Sequence, residues 1–125
     1  MNKNEFNELL RKAICEYNVS DVKRLLEIGA DPNYKLPEEE YKNFDAYEYQ
    51  PYTPLRLVVF IISDCMIGDQ ELEQAAKIAS LLIKYGAYVK PAIELAESRY
   101  GKYNPKIKHT PFSSVLKVIY NAFNK

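Results

Sequence analysis

The sequence is poor in the residue types on which most catalytic and metal sites depend. Its 125 residues include one histidine, two cysteines, four glycines and no tryptophan. The histidine, His109, has no histidine, cysteine or carboxylate near it in sequence, so it predicts neither a general base nor a metal ligand. Cys15 and Cys65 lack Cys-x-x-Cys spacing, and we expect them to be small apolar filler. These absences predict a protein that is not an enzyme and binds no metal or cofactor.

Long hydrophobic runs and glycine-rich loops are missing as well. The longest apolar run, Leu57–Ile62, has six residues, whereas a membrane-spanning helix needs about 20. The first 18 residues contain no apolar stretch of signal-peptide length. No glycine-rich loop that could hold a phosphate is present. We therefore expect a cytoplasmic protein with no membrane partner and no small-molecule substrate.

The charge of the chain sums to zero but is unevenly distributed. Met1–Glu97 holds 11 basic and 17 acidic residues, whereas Ser98–Lys125 holds six basic residues and no acid. The six are Arg99, Lys102, Lys106, Lys108, Lys117 and Lys125. Because tyrosines lie among them, this basic segment suggests nucleic-acid binding as an alternative function. The acidic remainder of the chain would repel phosphates, so we favour a partner other than nucleic acid.

Hydrophobic periodicity and helix-ending residues predict an all-α fold. The apolar residues of Phe6–Tyr17 fall on one helical face, and Ser20 is the expected N-cap of the next helix. Thr-Pro begins two later helices, and Gly29, Gly86 and Gly101 end others. The predicted helices span residues 4–17, 20–28, 53–63, 70–85, 91–100 and 111–124.

Two short sequence signals recur at the same spacing. LLEIGA at 25–30 corresponds to LLIKYGA at 81–87, and TPL at 53–55 corresponds to TPF at 110–112. The glycine of the first signal precedes the threonine of the second by 24 positions in both copies. Such self-similarity at a fixed interval is typical of repeat architectures.

These segments together resemble the ankyrin-repeat family. LLEIGADPN at 25–33 and YTPLRLVV at 52–59 are similar to the end and the opening of its repeat unit. LLIKYGAYV at 81–89 is also similar, with Tyr88 where the family has Asp, and Arg56 stands where the family prefers His. The resemblance implies one domain over residues 1–125, an ankyrin-like stack of helix-turn-helix repeats. Its units lie near 4–33, 52–89 and 90–125, with a long finger insertion at 34–51.

The last unit allows two registers. In the first, which we favour, 91–100 pairs with 111–124, and the last helix packs against the helix at 70–85. In the second, 91–100 is an insert within a finger, and the last helix packs against the helix at 53–63. The first register closes the stack with a complete pair, which repeat stacks require.

The tyrosine-rich segment, residues 34–52, is the main candidate for a binding site. It contains five of the eleven tyrosines, and five acidic against two basic residues. Tyrosine buries a large area at low entropic cost and keeps a hydroxyl for hydrogen bonds, which suits interfaces. The family resemblance implies that fingers and first helices face the binding surface. The predicted partner-binding residues are Glu38, Glu39, Glu40, Tyr41, Phe44, Asp45, Tyr47, Glu48, Tyr49, Tyr52 and Arg56.

An acidic and aromatic surface favours another protein with a basic patch as the partner. We therefore expect a non-enzymatic protein–protein interaction module, and more specifically a stoichiometric inhibitor or immunity-type protein that covers a basic site. The alternatives are an adaptor or an effector that binds a host protein. An alternative role for the tyrosines is purely structural: they would hold the segment against neighbouring helices.

Overall fold

The computed structural model describes residues 3–34, 53–64, 68–101 and 113–123, and these residues form six α-helices with no strand among them. The helices are α1 (Lys3–Cys15), α2 (Val19–Glu27), α3 (Pro54–Asp64), α4 (Asp69–Lys84), α5 (Lys90–Tyr100) and α6 (Ser113–Phe123). The prediction of an all-α fold is confirmed for this part of the chain. The helix ends agree with the predicted ones to within two residues.

The C-terminus of α1 comes before the predicted residue 17 because Tyr17 has a left-handed backbone. Its φ is 56°, a conformation that most side chains avoid. The N–H of Tyr17 donates to the carbonyl oxygen of Ile14 at 3.0 Å, and the next N–H donates to that of Ala13 at 2.9 Å. These two bonds form a Schellman motif, which satisfies the last carbonyl groups of the helix.

Asn18 is the N-cap of α2. Its Oδ1 accepts a hydrogen bond from the N–H of Asp21 at 3.1 Å, and its Nδ2 donates to Asp21 Oδ2 at 3.0 Å. The prediction that Ser20 caps this helix is wrong, because Ser20 lies inside α2. Both residue types can cap a helix, and the early end of α1 makes Asn18 the residue at the boundary.

The turns after α2 and α4 are built in the same way. Gly29 has a φ of +112° and Gly86 a φ of +101°, which glycine adopts without steric cost. In each turn the N–H of the alanine after the glycine donates to a carbonyl oxygen five residues earlier, at 2.9 Å. The repeated LL and GA signals in the sequence therefore encode two copies of one helix-ending motif.

The helices pack as three consecutive pairs arranged in two rows. The pairs are α1 with α2, α3 with α4, and α5 with α6. The first helices α1, α3 and α5 contact one another in sequence, and the second helices α2, α4 and α6 form the other row. The packing of α6 is most extensive against α4, which is the pairing expected in the first of the two registers.

The interior is one apolar cluster to which all six helices contribute. The central helix α3 is apolar on nearly every side, and its side chains with a described environment are buried except for the half-buried Phe60 and Ser63. A helix that is hydrophobic all round is typically buried all round.

Cys15 is exposed, so the prediction that it is apolar filler is wrong, since it lies on the side of α1 away from this cluster. Cys65 lies outside the described residues.

Candidate interaction surface

Ten of the eleven predicted partner-binding residues lie outside the part of the chain that the structure describes, and Arg56 is the exception. Arg56 is 2% exposed, on the first turn of α3. Its N–H donates to Thr53 Oγ1 at 3.3 Å, and its Nη1 donates to the carbonyl oxygen of Pro91 at 3.0 Å. The second bond ties the beginning of α3 to the beginning of α5. The structure thus gives Arg56 a contact inside the stack instead of the surface position that we predicted.

Removal of the Arg56 side chain should test this internal contact. We expect Arg56→Ala to lower the free energy of unfolding by about 2–3 kcal/mol, because the Pro91 carbonyl loses a donor and the buried stem loses its packing. Arg56→Met keeps most of the apolar stem but has no hydrogen-bond donor, so its loss in the free energy of unfolding should be smaller than that of Arg56→Ala. Urea unfolding of the three proteins measures both effects. An Arg56→Met variant as stable as the wild type would show that the bond to Pro91 adds nothing.

The tyrosine-rich segment begins at a turn, residues 31–34, that is tied to α1. The N–H of Asn33 donates to Asp31 Oδ1 at 2.8 Å, and that of Tyr34 donates to the Asp31 carbonyl oxygen at 3.2 Å. The N–H of Asp31 donates to Oδ1 of the buried Asn7 at 2.9 Å, and the Tyr34 hydroxyl donates to Glu8 Oε1 at 3.2 Å. Tyr34, the first residue of the segment, is therefore held beside α1.

The same turn is also bound to the turn that follows α4. Asn33 Nδ2 donates to the carbonyl oxygen of Gly86 at 3.0 Å, and the N–H of Tyr88 donates to Asn33 Oδ1 at 2.8 Å. Both ends of one side-chain amide are used, so its orientation is determined. The 31–34 turn consequently bridges the first helix of the first pair and the second helix of the second pair.

Three exposed apolar or aromatic side chains lie at the turns beside this bridge. Tyr88 is 69% exposed, Ile28 50% and Tyr85 36%. They lie outside the tyrosine-rich segment, and none of them was predicted from the sequence to contact the partner. The signal that could have found them is the repeat alignment, which places Ile28 and Tyr85 at the same position immediately before a helix-ending glycine.

Among the exposed ionisable side chains described on α1 and α5, carboxylates outnumber ammonium groups, while Arg11 and Arg99 are half-buried. Where exposure is described, α1 and α5 together expose four carboxylates and two ammonium groups: Glu5, Glu8, Glu94, Glu97, Lys12 and Lys90. Arg99, the first basic residue of the Ser98–Lys125 segment, lies with its guanidinium carbon 5.6 Å from the centre of the Phe60 ring. That cation–π contact joins α5 to α3.

The described residues contain no group of three or more histidine, cysteine, aspartate or glutamate side chains that could hold a metal ion. Among those same ranges of the chain, no helix has the length and apolar character that crossing a membrane requires. His109, the one histidine, lies outside them.

Comparison of the chain with protein-family models, with curated proteins and with solved structures gave no match.

Proposed function

We propose that this chain is an ankyrin-like stack of three repeat units that acts as a protein–protein interaction module without enzymatic activity. The tyrosine-rich segment supplies an acidic, aromatic surface, and the partner is a protein with a basic patch. Two features support the repeat assignment: the helices pack as three pairs in two rows, and the LL and GA signals end two helices with the same hydrogen-bond pattern.

The observation on which the proposed function depends most is the anchored start of the tyrosine-rich segment. Hydrogen bonds from the 31–34 turn reach α1 on one side and the turn after α4 on the other. A segment that starts from a fixed base loses less conformational freedom when a partner orders it, and this favours binding. The base lies beside α1, which exposes Glu5 and Glu8, and these two carboxylates would add to the attraction of a basic surface.

The specific form that we propose is a stoichiometric inhibitor or immunity-type protein. An enzyme that acts on a polyanion such as a nucleic acid needs a basic active site. The tyrosine-rich segment offers that site carboxylates in place of phosphates and phenol rings in place of bases. Binding there would exclude the substrate of the partner, so inhibition and binding should have the same stoichiometry.

Neutralisation of the three consecutive glutamates tests the electrostatic part of the proposal. The tagged wild-type chain is used to capture proteins from its native source, and each captured protein is identified and purified. We expect Glu38→Gln, Glu39→Gln and Glu40→Gln together to slow association with that protein by about tenfold at low salt, with a smaller effect on dissociation. The salt dependence of association should become flatter as well.

A matched control changes three acidic residues on the other row of helices. Asp69→Asn, Glu71→Gln and Glu73→Gln alter the net charge equally on α4, and we expect a much smaller change in the association rate. If the two triple variants slowed association equally, the tyrosine-rich segment would have no special role in the electrostatic steering of the partner. If the captured protein is an enzyme, a saturating amount of the wild-type chain should abolish its activity, whereas an adaptor would leave that activity intact.

A further inference from the structure

We infer that two copies of this chain associate through the turns that follow α2 and α4, with their stacks antiparallel about a two-fold axis. The contact surface is the turn patch, which consists of Ile28, Tyr85, Tyr88 and the charged residues Glu27 and Lys84, all of them exposed. The inference is independent of the proposed function, because none of these residues belongs to the set predicted to contact the partner.

The apolar and aromatic side chains of the turn patch lie on two adjacent turns. Asn33, just after the first turn, donates from Nδ2 to the carbonyl oxygen of Gly86 in the second turn at 3.0 Å. Its Oδ1 accepts the N–H of Tyr88 at 2.8 Å. Single exposed apolar side chains are ordinary at a protein surface. Several on neighbouring turns form a patch, and such a patch favours contact with another protein.

The two turns present equivalent side chains in the same way. Ile28 has a φ of −92° and a ψ of 3°, and Tyr85 has a φ of −91° and a ψ of 9°. Each is followed by a glycine with a positive φ. Because α2 and α4 pack side by side, the second turn repeats the first at a distance of about one helix spacing, roughly 8–10 Å. A second copy that is turned over can therefore place its first turn against the second turn of this copy.

The charges of the turn patch are complementary to one another and select this antiparallel arrangement. Glu27 and Lys84 occupy equivalent positions, immediately before Ile28 and Tyr85, and carry opposite charges. A two-fold axis that passes between the turns and crosses the stack places Glu27 of each copy against Lys84 of the other. The same axis places Ile28 against Tyr85. An axis along the stack would instead bring each of the two charges against its own copy, which is unfavourable.

Glu27 and Lys84 are available for contacts between copies. In the described residues, the ion pairs of α2 and α4 are made by other side chains. The exposed Lys23, one turn before Glu27, has the uncharged Ser80 at its equivalent position, so the antiparallel arrangement opposes it with no like charge. The patch is small, and we expect a weak dimer with a dissociation constant in the micromolar to millimolar range.

The test is a charge exchange followed by sedimentation equilibrium of the full chain from micromolar to millimolar concentration. Glu27→Lys and Lys84→Glu each oppose like charges at both contacts of the dimer, and each should weaken self-association about tenfold at low salt. The double variant Glu27→Lys/Lys84→Glu restores opposite charges and should associate nearly as well as the wild type. An equimolar mixture of the two single variants should also associate more strongly than either variant alone.

Two further variants separate the turn patch from general effects of charge. Glu16→Lys changes an exposed residue beside the beginning of α2, whereas the turn patch lies after its end, and this control should leave self-association unchanged. Ile28→Ser/Tyr85→Ser removes apolar contact area and should weaken the dimer tenfold or more, at high salt as well as at low salt.

A wild-type chain that stays monomeric up to millimolar concentration would overturn the inference. A dimer that tolerates both single charge reversals, or that is not recovered by the charge exchange, would overturn it too. If the wild-type chain is monomeric and Glu27→Lys weakens binding of the captured protein, the turn patch belongs to the interface with that protein, and association between copies is refuted.

Discussion

Replacing Tyr41, Tyr47 and Tyr49 together with serine should weaken binding of the captured partner by about a thousandfold or more. Truncation of a buried aromatic anchor commonly costs about 2 kcal/mol or more, and about 1.4 kcal/mol corresponds to a factor of ten in affinity. The thermal midpoint should change little, because apolar side chains of all six helices already form one continuous cluster among the described residues. Calorimetric melting and titration of the same protein sample measure the two properties side by side.

A control for the chemistry of the substitution is available on the turn after α4. Tyr85→Ser and Tyr88→Ser remove two exposed tyrosines, and their effect on affinity should be much smaller than that of the triple variant.

The competing interpretation holds that the segment tyrosines only fasten the loop to the helices. In that case the triple variant would lose thermal stability while its folded fraction bound the partner normally, and this result would rule out the interaction role.

The helices could be predicted from the sequence because their signals are local. Thr53 and Pro54 occupy the N-cap and the first turn of α3, with the expected bond from the Arg56 N–H to Thr53 Oγ1. Gly29 and Gly86 end α2 and α4 with left-handed backbones. The predicted end of α1 was two residues too late because Tyr17 has a left-handed backbone, which is uncommon for residues other than glycine. The tyrosine side chain gives no indication of this conformation.

The links that hold the candidate surface could not be predicted, because they are made by residues far apart in the chain. Asn7 contacts Asp31 across 24 positions, and Asn33 contacts Tyr88 across 55. An isolated asparagine in a single sequence does not indicate such a bond. Arg56 was predicted to contact the partner because the family resemblance implies that first helices face the binding surface. Its burial follows from the apolar surroundings of α3 and the carbonyl acceptor that α5 provides.

Truncation of Leu26 should be the most destabilising single substitution proposed for this chain. Leu26 is 4% exposed and lies on α2, which packs against both α1 and α4. Leu26→Ala would leave a cavity between two helix pairs, and the expected loss in the free energy of unfolding is roughly 2–5 kcal/mol. For a domain of this size the thermal midpoint should fall by about ten degrees or more.

The neighbouring residue supplies the control for Leu26→Ala. Glu27 is exposed on the same turn of α2, so Glu27→Ala should change the free energy of unfolding by no more than about 0.5 kcal/mol. Because each helix pair in a stack is held mainly by its neighbours, the Leu26 cavity should raise amide exchange most strongly in α1 and α2 and least in α6. A thermal midpoint that matches the Glu27→Ala control would mean that Leu26 does not pack between the first two pairs, and the stacking order of the helices would then be wrong.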